Sequence, residues 1–399
     1  MNRRAGLDAV VAGGGVVGAA AALMLAREGL QVALVDPKAP APWSREQRDL
    51  RVFAFAPDNA ALLNGLGAWQ QVQAARVKAY RGMRVWDAAA GAPLVFNADA
   101  LGQAQLGWIV ENGLLVDALW QALRVAGVRV HCASIEAMAQ SATGVQLQLD
   151  DGLTLDAQLA IAADGAHSTL RRLAAISVTT HDYHQRGVVA YVRSEQPHQD
   201  SCWQRFLPTG PVAYLPFNDD GDAALRGRLG SIVWTLPETD AKRLLDAPAE
   251  QFERELGHAF AGELGSFTLQ SPRAAFPLRR QLAATQYQGR LLLIGDAAHA
   301  VHPLAGQGVN LGLRDVSALQ ASMHAAKANG ADPMSATRLA RWARTRRSEN
   351  ALGAHAFETI NRVYSNDALL PTLLRGHALG LAGRMPPLVR ALWRHAAGM

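Results

Sequence analysis

Apolar residues at the start of the chain form short runs separated by turn residues, in the order expected of alternating strands and helices. Residues 7–12, LDAVVA, predict a buried strand, and VVGAAAALMLAREGL predicts a helix that stops at Gly29. The run QVALVD then predicts a second buried strand, which ends at Asp36. Because strands joined through a helix within about 30 residues lie parallel, the pattern predicts one βαβ unit.

Helix and strand patterns alternate up to the middle of the chain. Residues 112–126 predict a helix, and the segment after them predicts a hairpin followed by a buried strand that ends at Asp164. A shorter helix is predicted over residues 58–66, with Asp58 or Asn59 as its cap. These elements extend the first unit into a mainly parallel sheet with helices.

The pattern changes between residues 180 and 285. Short alternating runs such as GVVAYVRS, PVAYLPF and LGSIVWTL predict an antiparallel sheet, with one helix at PAEQFERELGHAF. The buried-strand pattern returns at RLLLIGD, and everything after Gly308 predicts helices. The first domain is therefore interrupted by the sheet and then resumed.

These elements predict an α/β fold: a Rossmann-like domain, an inserted antiparallel-sheet domain and a helical C-terminal region. The predicted divisions are residues 1–78 with 108–178 and 286–335 for the first domain, 79–107 with 179–285 for the inserted domain, and 336–399 for the C-terminal helices.

Composition narrows the classes of function. The 399 residues are 49% hydrophobic and 18% charged, which suits a large packed interior, and only 6% are aromatic, too few for stacking on many nucleic-acid bases. Two cysteines, Cys132 and Cys202, exclude a disulfide framework and suit a reducing compartment. Since no stretch reaches the ~18 apolar residues of a membrane span, we expect a soluble cytoplasmic protein without a nucleic-acid partner.

A glycine motif lies between the first strand and the first helix. In Gly13-x-Gly15-x-x-Gly18, the first glycine allows a tight turn, the second lets backbone approach a pyrophosphate, and the third lets the helix pack on the sheet. The helix N-terminus offers unpaired N–H groups to phosphates. Asp36 suits the hydroxyls of an adenosine ribose and repels a 2′-phosphate, so the motif predicts FAD or NAD as the tightly held dinucleotide.

A second element, IGDAAHAVHPLAGQGVN, favours FAD over NAD. FAD is the longer molecule, so a binding element far along the chain is expected for its ribityl chain and flavin. Asp296, at a strand end, suits ribityl hydroxyls or the neighbourhood of the pyrophosphate. After Pro303 the chain presents backbone N–H groups at a helix start, which suit the flavin edge where negative charge collects on reduction. Gly306 and Gly308 keep side chains away from the ring.

Here the sequence resembles a known family. The glycine motif, ADGAHSTLRR and GDAAHAVHPLAGQGVNLGL, in this order, are similar to the aromatic-ring hydroxylases that hold one FAD, the group A flavin monooxygenases. Within these, DLRVFAFAPDNAALLNGLGAW, VENGLLVDAL, WQRFLPTGPVAYLPF and LLPTLLRGHALGLAGRMPPLVRALW resemble the ubiquinone-biosynthesis hydroxylases. The likeness runs from about residue 7 to the C-terminus.

The resemblance implies roles for individual residues. Asp164 and Arg171, with Gly165 and Ser168, match a motif near the flavin pyrophosphate that is implicated in reduced nicotinamide binding. Further matches are Arg51 near the FAD phosphates, Asn112 near the flavin or ribityl chain, and the loop lining the flavin ring, which comprises Pro303, Gly306, Gln307, Gly308 and Asn310.

Simpler interpretations of three of these residues stay open. Arg171 also fits a surface helix, Arg51 a strand edge, and Asn112 a helix cap. Pro303 and Gln307 are the candidate catalytic residues, because they lie in the predicted flavin-ring loop.

The resemblance also implies a reaction. NAD(P)H reduces FAD, O₂ then forms a flavin C4a-hydroperoxide, and its distal hydroxyl is transferred to an electron-rich phenol, for which the family suggests a prenylated phenol in ubiquinone biosynthesis. The sequence assigns no catalytic base. WQRFLPTGPVAYLPF is the segment expected to face the substrate. Two alternatives remain open: an FAD enzyme of this fold acting on a soluble aromatic compound or reducing a prenyl chain, and a flavin-binding scaffold within a biosynthetic complex.

Two histidine pairs have a spacing that zinc sites also use. HAVH (His299, His302) and HDYH (His181, His184) would need further ligands, and with two cysteines in the chain and no nearby pair of acids we predict no metal. We expect His299 to support the loop after Asp296.

The C-terminal part is strongly basic. The net charge is +5, and residues 338–399 contain ten arginines and three acidic residues, a net of +7. Residues 369–381, LLPTLLRGHALGL, place apolar side chains on one helical face. This face either packs on the core of the protein or, with its arginines, contacts an anionic membrane at the inner face or other ubiquinone-biosynthesis proteins.

Overall fold

The computed structural model describes residues 6–88, 92–300 and 308–364, with Arg390, Trp393, Arg394, Ala397 and Gly398 near the C-terminus. Its strands are β1 (Leu7–Ala12), β2 (Val32–Asp36), β3 (Val52–Phe55), β4 (Val77–Tyr80), β5 (Gly82–Asp87), β6 (Leu94–Asn97), β7 (Gly107–Glu111), β8 (Arg129–Cys132), β9 (Ile135–Gln140), β10 (Val145–Leu149), β11 (Thr154–Ala162), β12 (Val178–Ser194), β13 (Ser201–Leu207), β14 (Gly210–Pro216), β15 (Leu229–Pro237), β16 (Phe267–Leu269), β17 (Ala274–Ala283), β18 (Tyr287–Gln288), β19 (Leu291–Leu293) and β20 (His299–Ala300). Its helices are α1 (Val16–Arg27), α2 (Pro57–Gly65), α3 (Trp69–Ala75), α4 (Asn112–Val125), α5 (Thr169–Leu173), α6 (Glu238–Asp246), α7 (Ala249–Ala259), α8 (Gly308–Ala328) and α9 (Ala336–Tyr364).

The first sheet has the order β18-β19-β11-β1-β2-β8. The pairs β19–β11, β11–β1, β1–β2 and β2–β8 are parallel. The predicted βαβ unit is therefore confirmed. β10 and β11 form the predicted hairpin, and the predicted buried strand is the second half of β11: residues 154–157 pair antiparallel with β10, and residues 157–162 pair parallel with β1.

The second sheet has the order β20-β17-β12-β15-β14-β13-β5-β6. Its strands from the predicted antiparallel region pair antiparallel, as the alternating pattern indicates. β5, from an earlier segment of the chain, adds to its edge and pairs parallel with β13. This contact brings the segment after β4 into the same sheet as residues 179–285.

The strands β3, β7 and β4 form a third, small sheet, with β7 in the middle. The predicted divisions at residues 78 and 107 fall at this sheet, inside β4 and at the start of β7. One large core packs α1, α2, α4 and α8 against one face of the first sheet, and a second core covers the opposite face.

The start of α2 differs from the prediction. The helix begins at Pro57 with Ala56 as its N-terminal flanking residue, and no side chain caps it. A proline suits the first helical position because its missing N–H would be unpaired there in any case. Asp58 and Asn59 lie inside the first turn, where both make tertiary contacts with α8.

Candidate active site

Four predicted residues lie at the carboxyl ends of neighbouring parallel strands. Gly13 follows β1, Asp36 ends β2, Asp164 lies shortly after β11, and Asp296 lies shortly after β19. Since these strands are adjacent in the first sheet, their ends meet at one edge. This is where open α/β sheets bind ligands.

The glycine turn has the geometry that the motif predicts. Gly13 has φ = 100°, and a Cβ atom there would lie 2.3 Å from the Ala163 carbonyl oxygen. A Cβ on Gly18 would lie 2.0 Å from the Gly13 oxygen, so both positions exclude larger residues by contact. Around Gly15, by contrast, nothing lies within 4 Å of an added Cβ. Gly15 therefore faces open space at the start of α1.

No side chain in the described part of the chain caps the N-terminus of α1, so the first-turn N–H groups there are available to an anion. One Asp36 carboxylate oxygen accepts a hydrogen bond from the Gly14 amide at 2.6 Å. The indole of Trp120, a residue not singled out in the sequence, donates to the Gly14 carbonyl at 2.7 Å. Asp36 and Trp120 therefore hold the glycine turn in place, although neither belongs to the glycine motif.

The DG motif is tied to the turn that carries Asp296. Asp164 Oδ2 accepts the Thr169 amide at 2.7 Å, while its Oδ1 is buried without a partner among the described residues. Arg171 is 7% exposed and donates to the carbonyls of Ala297 at 2.8 Å and Ala166 at 2.6 Å. Burial lowers the pKa of its guanidinium, and Asp164 opposes that shift. Arg171 is therefore buried, not on a surface helix, and it links the DG motif to the turn that carries Asp296.

Asp296 and Arg51 lie near each other. The Asp296 residue is exposed at this edge, but the protein packed around its carboxyl group desolvates it and raises its pKa, while the charges of His299 and Arg51 act in the opposite direction. The Arg51 guanidinium is exposed and makes no hydrogen bond within the part of the chain that the structure describes. The Arg51 carbonyl accepts the Asn112 amide at 2.9 Å. Asn112 is the first residue of α4, with Glu111 as its cap position.

Asn310 joins the start of α8 to the β3–α2 connection. It is 4% exposed, and its Oδ1 accepts hydrogen bonds from the Ala56 amide at 3.0 Å and the Asn59 amide group at 2.9 Å. Its Nδ2 donates to the Ala54 carbonyl at 2.8 Å. Gly308 begins α8. Pro303, Gly306 and Gln307 lie outside the described residues.

A buried charged network supports the Gly295–Asp296 turn. Asp315 accepts the Gly295 amide at 3.0 Å, His299 Nε2 lies 2.6 Å from its Oδ2, and Arg346 donates to its Oδ1 at 2.8 Å. Burial alone would raise the pKa of Asp315, but His299 and Arg346 overcome it and lower this pKa to about 2. His299 therefore supports the turn, as expected.

A second buried network holds the loop that precedes Arg51. The Arg76 guanidinium donates to both carboxylate oxygens of Glu111, at 2.9 and 2.8 Å, and to Asp220 at 2.9 Å. Glu111 also accepts the Asp49 amide at 2.8 Å. Because Asp220 belongs to the β14–β15 connection, this network ties the loop to the second sheet.

A cavity of ≈ 180 Å³ adjoins the start of α8. On one side lie residues of the β3–α2 connection and of α8, including Asn310 and Leu311, and on the other lie Cys202 and Leu215 of the second sheet. Trp393, near the C-terminus, contributes to the wall. A cavity of about 150 Å³ is large enough for a benzene ring, so this one suits a substituted aromatic ring.

The described residues fit FAD. Gly15 leaves open backbone beside an uncapped helix N-terminus, where a pyrophosphate can approach. Among the described residues, the Arg51 guanidinium near Asp296 has no hydrogen-bond or ion-pair partner, and one Asp164 carboxylate oxygen at the same edge also lacks a partner. Within the described ranges, no three His, Cys, Asp or Glu residues cluster as metal ligands. No helix of the described chain is long and apolar enough to cross a membrane.

The chain is similar in sequence to known proteins. The FAD binding domain family matches residues 6–348. Ubiquinone hydroxylase UbiL of Rhodospirillum rubrum is 36% identical over 394 residues, 98% of this chain and 89% of that protein. The 3-demethoxyubiquinol 3-hydroxylase of Escherichia coli is 36% identical over 398 residues, 98% of each.

A solved structure shares the fold. The p-nitrophenol 4-monooxygenase PnpA from Pseudomonas putida superposes with a TM-score of 0.77 at 20% identity, covering 98% of this chain and 97% of that one. The chain belongs to the FAD binding domain family and, within it, to the ubiquinone-biosynthesis hydroxylases.

Proposed function

We propose that this chain is an FAD-dependent monooxygenase that hydroxylates the aromatic ring of a polyprenyl phenol in ubiquinone biosynthesis, with NAD(P)H and O₂ as co-substrates. One observation carries the proposal beyond flavin binding. The cavity lies between the second sheet and the start of α8, the helix that directly follows the predicted flavin-ring loop. An aromatic ring bound in this cavity would lie between the second sheet and the predicted flavin-ring loop.

The residues around the strand ends each bind a different part of FAD in this proposal. The start of α1, with open backbone at Gly15, takes the pyrophosphate, and Asp36 takes the adenosine ribose. Arg51 and Asp296 face the middle of the cofactor, its phosphates and ribityl chain. Asn112 lies beside them at the start of α4.

Other predicted residues hold the site in shape. Arg171 positions the DG motif against the turn of Asp296, since its guanidinium is bound to backbone carbonyls of both segments. Asn310 positions the start of α8 against the β3–α2 connection. We retain Gly306 and Gly308 beside the flavin ring, with Pro303 and Gln307 as the candidate catalytic residues.

Bound FAD supplies the redox chemistry, in which NAD(P)H provides the electrons and one oxygen atom of O₂ reaches the ring. The protein has to keep water away from that reaction. The cavity lining serves this purpose because it is mostly apolar, with Leu215, Leu311 and Trp393 among its walls.

We also propose the predicted division into two domains and a helical C-terminal region. The addition of β5 and β6 to the second sheet supports grouping residues 79–107 with 179–285. The strand positions indicate that the third sheet is the junction.

The basic C-terminal region is proposed to contact an anionic membrane surface, where a polyprenyl substrate resides, or other proteins of ubiquinone biosynthesis. Residues 369–381 lie outside the described residues, so the support is their amphipathic pattern and the net charge of +7 over residues 338–399. Purified full chain should sediment with anionic liposomes at low salt, and a chain ending near residue 366 should not. Equal recovery of both chains in the supernatant would refute membrane contact.

The function is tested by deleting the gene in its host and analysing quinones by mass spectrometry. We expect loss of ubiquinone and accumulation of a prenylated intermediate that lacks one ring hydroxyl, with rescue by the wild-type gene. A Gly15→Val gene should not rescue, because the substitution blocks FAD. Rescue by that variant would show that FAD binding is not needed and would refute the proposal, and unchanged ubiquinone in the deletion strain would favour a soluble aromatic substrate.

A further inference from the structure

The cavity beside α8 is lined by a buried side-chain amide that forms no hydrogen bond with the described residues. Gln204, in β13, is 8% exposed and lines the cavity. Its side chain makes no hydrogen bond to any residue within the described ranges. Buried side-chain amides in proteins are normally hydrogen-bonded, and an unpaired one is costly. The Gln204 side chain is therefore free to form a hydrogen bond with a bound ligand.

Strand register places Gln204 on the cavity face of the second sheet. Residues two apart on a strand share one face, so Gln204 lies on the same side as Cys202. Across the strand pair, Gln204 is opposite Ala213, and Cys202 is opposite Met83 of β5. All four residues line the cavity. The amide therefore belongs to an otherwise apolar patch of wall that faces the cavity.

Tyr80 supplies a second polar group to the same wall. It ends β4, lines the cavity, and its hydroxyl makes no hydrogen bond to the described residues. Its ring packs over Gly107, where an added Cβ would lie 2.9 Å from the hydroxyl oxygen. Burial raises the pKa of the Tyr80 hydroxyl, so it stays protonated and able to donate. Gln204 and Tyr80 together offer both donors and an acceptor.

Two polar groups without a hydrogen-bond partner among the described residues, in a mostly apolar cavity, fit a ligand that is mostly apolar but carries oxygen atoms. We propose that Gln204, assisted by the Tyr80 hydroxyl, determines substrate specificity by hydrogen bonding to oxygen substituents on the aromatic ring: hydroxyl, methoxy or carbonyl groups. This inference rests on the proposed function in taking a substituted aromatic ring as the occupant. The two residues position the ring, and neither is assigned a step of the oxygen transfer.

The test is a binding titration that needs no turnover. FAD-loaded full-length wild type and Gln204→Leu are titrated with a farnesyl phenol, and with farnesylbenzene, which lacks the ring oxygen, while the flavin absorbance spectrum is followed. For the phenol, Gln204→Leu should raise Kd by about ten- to a hundredfold, since a buried hydrogen bond is lost. For farnesylbenzene, the two proteins should bind equally.

The chain offers a matched control in Gln286, which is 3% exposed, is not among the cavity-lining residues, and has a side-chain oxygen without a partner in the described structure. Gln286→Leu should leave both Kd values unchanged. The Tm of Gln204→Leu should stay equal to that of the wild type or rise, because no described hydrogen bond is lost. A lower Tm with an unchanged phenol Kd would show a structural role and overturn the proposal.

Two further variants keep the test decisive. Tyr80→Phe should raise the phenol Kd severalfold without changing that for farnesylbenzene. If Gln204→Leu does not fold, Gln204→Met keeps the length of the side chain and serves in its place. A wild type that binds phenol with oxygen-dependent affinity but hydroxylates nothing would contradict the proposed reaction and leave this inference standing. Equal affinity of every protein for both ligands would refute the inference alone.

Discussion

Replacing Asp315 by asparagine removes a buried negative charge on which several groups depend. The carboxylate accepts the Gly295 amide and contacts both His299 and Arg346. Asn keeps the size of the side chain but has a single acceptor oxygen and no charge. We expect Asp315→Asn to lower the stability of the fold and to loosen the turn that carries Asp296.

The structure sets the size of the effect. The pKa of Asp315 is lowered from 3.8 to about 2, which corresponds to about 2 kcal/mol in favour of the charged form at neutral pH. Removing one member of a buried ion pair typically costs about 3–5 kcal/mol, and here both His299 and Arg346 lose the carboxylate that they contact. For a chain of this length, with an unfolding entropy of about 2.1 cal/mol/K per residue, that loss lowers Tm by roughly 4–6 °C.

The assay is thermal unfolding followed by tryptophan fluorescence, with FAD release followed by flavin fluorescence in the same scan. Glu255→Gln is the control: its ion pair with Arg243 is partly exposed, at 2.7 Å, and such pairs contribute about 0–1 kcal/mol. Asp315→Asn should unfold several degrees below the control and release FAD first. If both variants melt together and retain FAD equally, the network does not support the turn.

Three further predictions concern the glycine turn, the buried His198 and the cavity wall at Trp393. Gly15→Val should leave the apoprotein Tm unchanged, since nothing lies within 4 Å of an added Cβ, yet abolish FAD binding; normal FAD affinity by titration would place the pyrophosphate elsewhere. Burial and the charge of Lys78 lower the pKa of His198 from 6.5 to about 4, so the unfolded chain binds the extra proton and stability should fall by about 3 kcal/mol as pH drops from 6.5 to 4. His198→Asn should flatten this pH dependence in urea unfolding, and an unchanged slope would contradict the assignment. Trp393→Ala should open the cavity and increase the NAD(P)H consumed per hydroxylated product; unchanged coupling would show that this wall does not exclude water.

The sequence predicted the parts of the site that depend on local chemistry. Gly13, Gly15 and Gly18 follow from a strand–turn–helix pattern with an acid at the next strand end, and the structure shows the close approaches that exclude larger residues at Gly13 and Gly18. The strand ends at Asp164 and Asp296 were likewise readable from buried apolar runs. Their meeting at one edge follows from parallel pairing.

Tertiary networks could not be read from local patterns. Arg76 and Glu111 are separated by 35 positions and Asp220 by 144, so nothing in the sequence marks them as partners. The local pattern predicts Asn59 as a candidate helix cap, but its side-chain amide donates to Asn310, 251 positions away. The parallel pairing of β5 with β13 was also missed, since an alternating pattern reveals strands without revealing which neighbour they take.

The central claim is that the glycine turn after β1 and the turn after β19 bind the two ends of one FAD molecule. The most direct measurement is the amount of FAD bound per chain, determined from the flavin released on denaturing the purified full-length protein after incubation with FAD. We predict one FAD per chain. Protein that stays colourless and takes up no added FAD would contradict this claim.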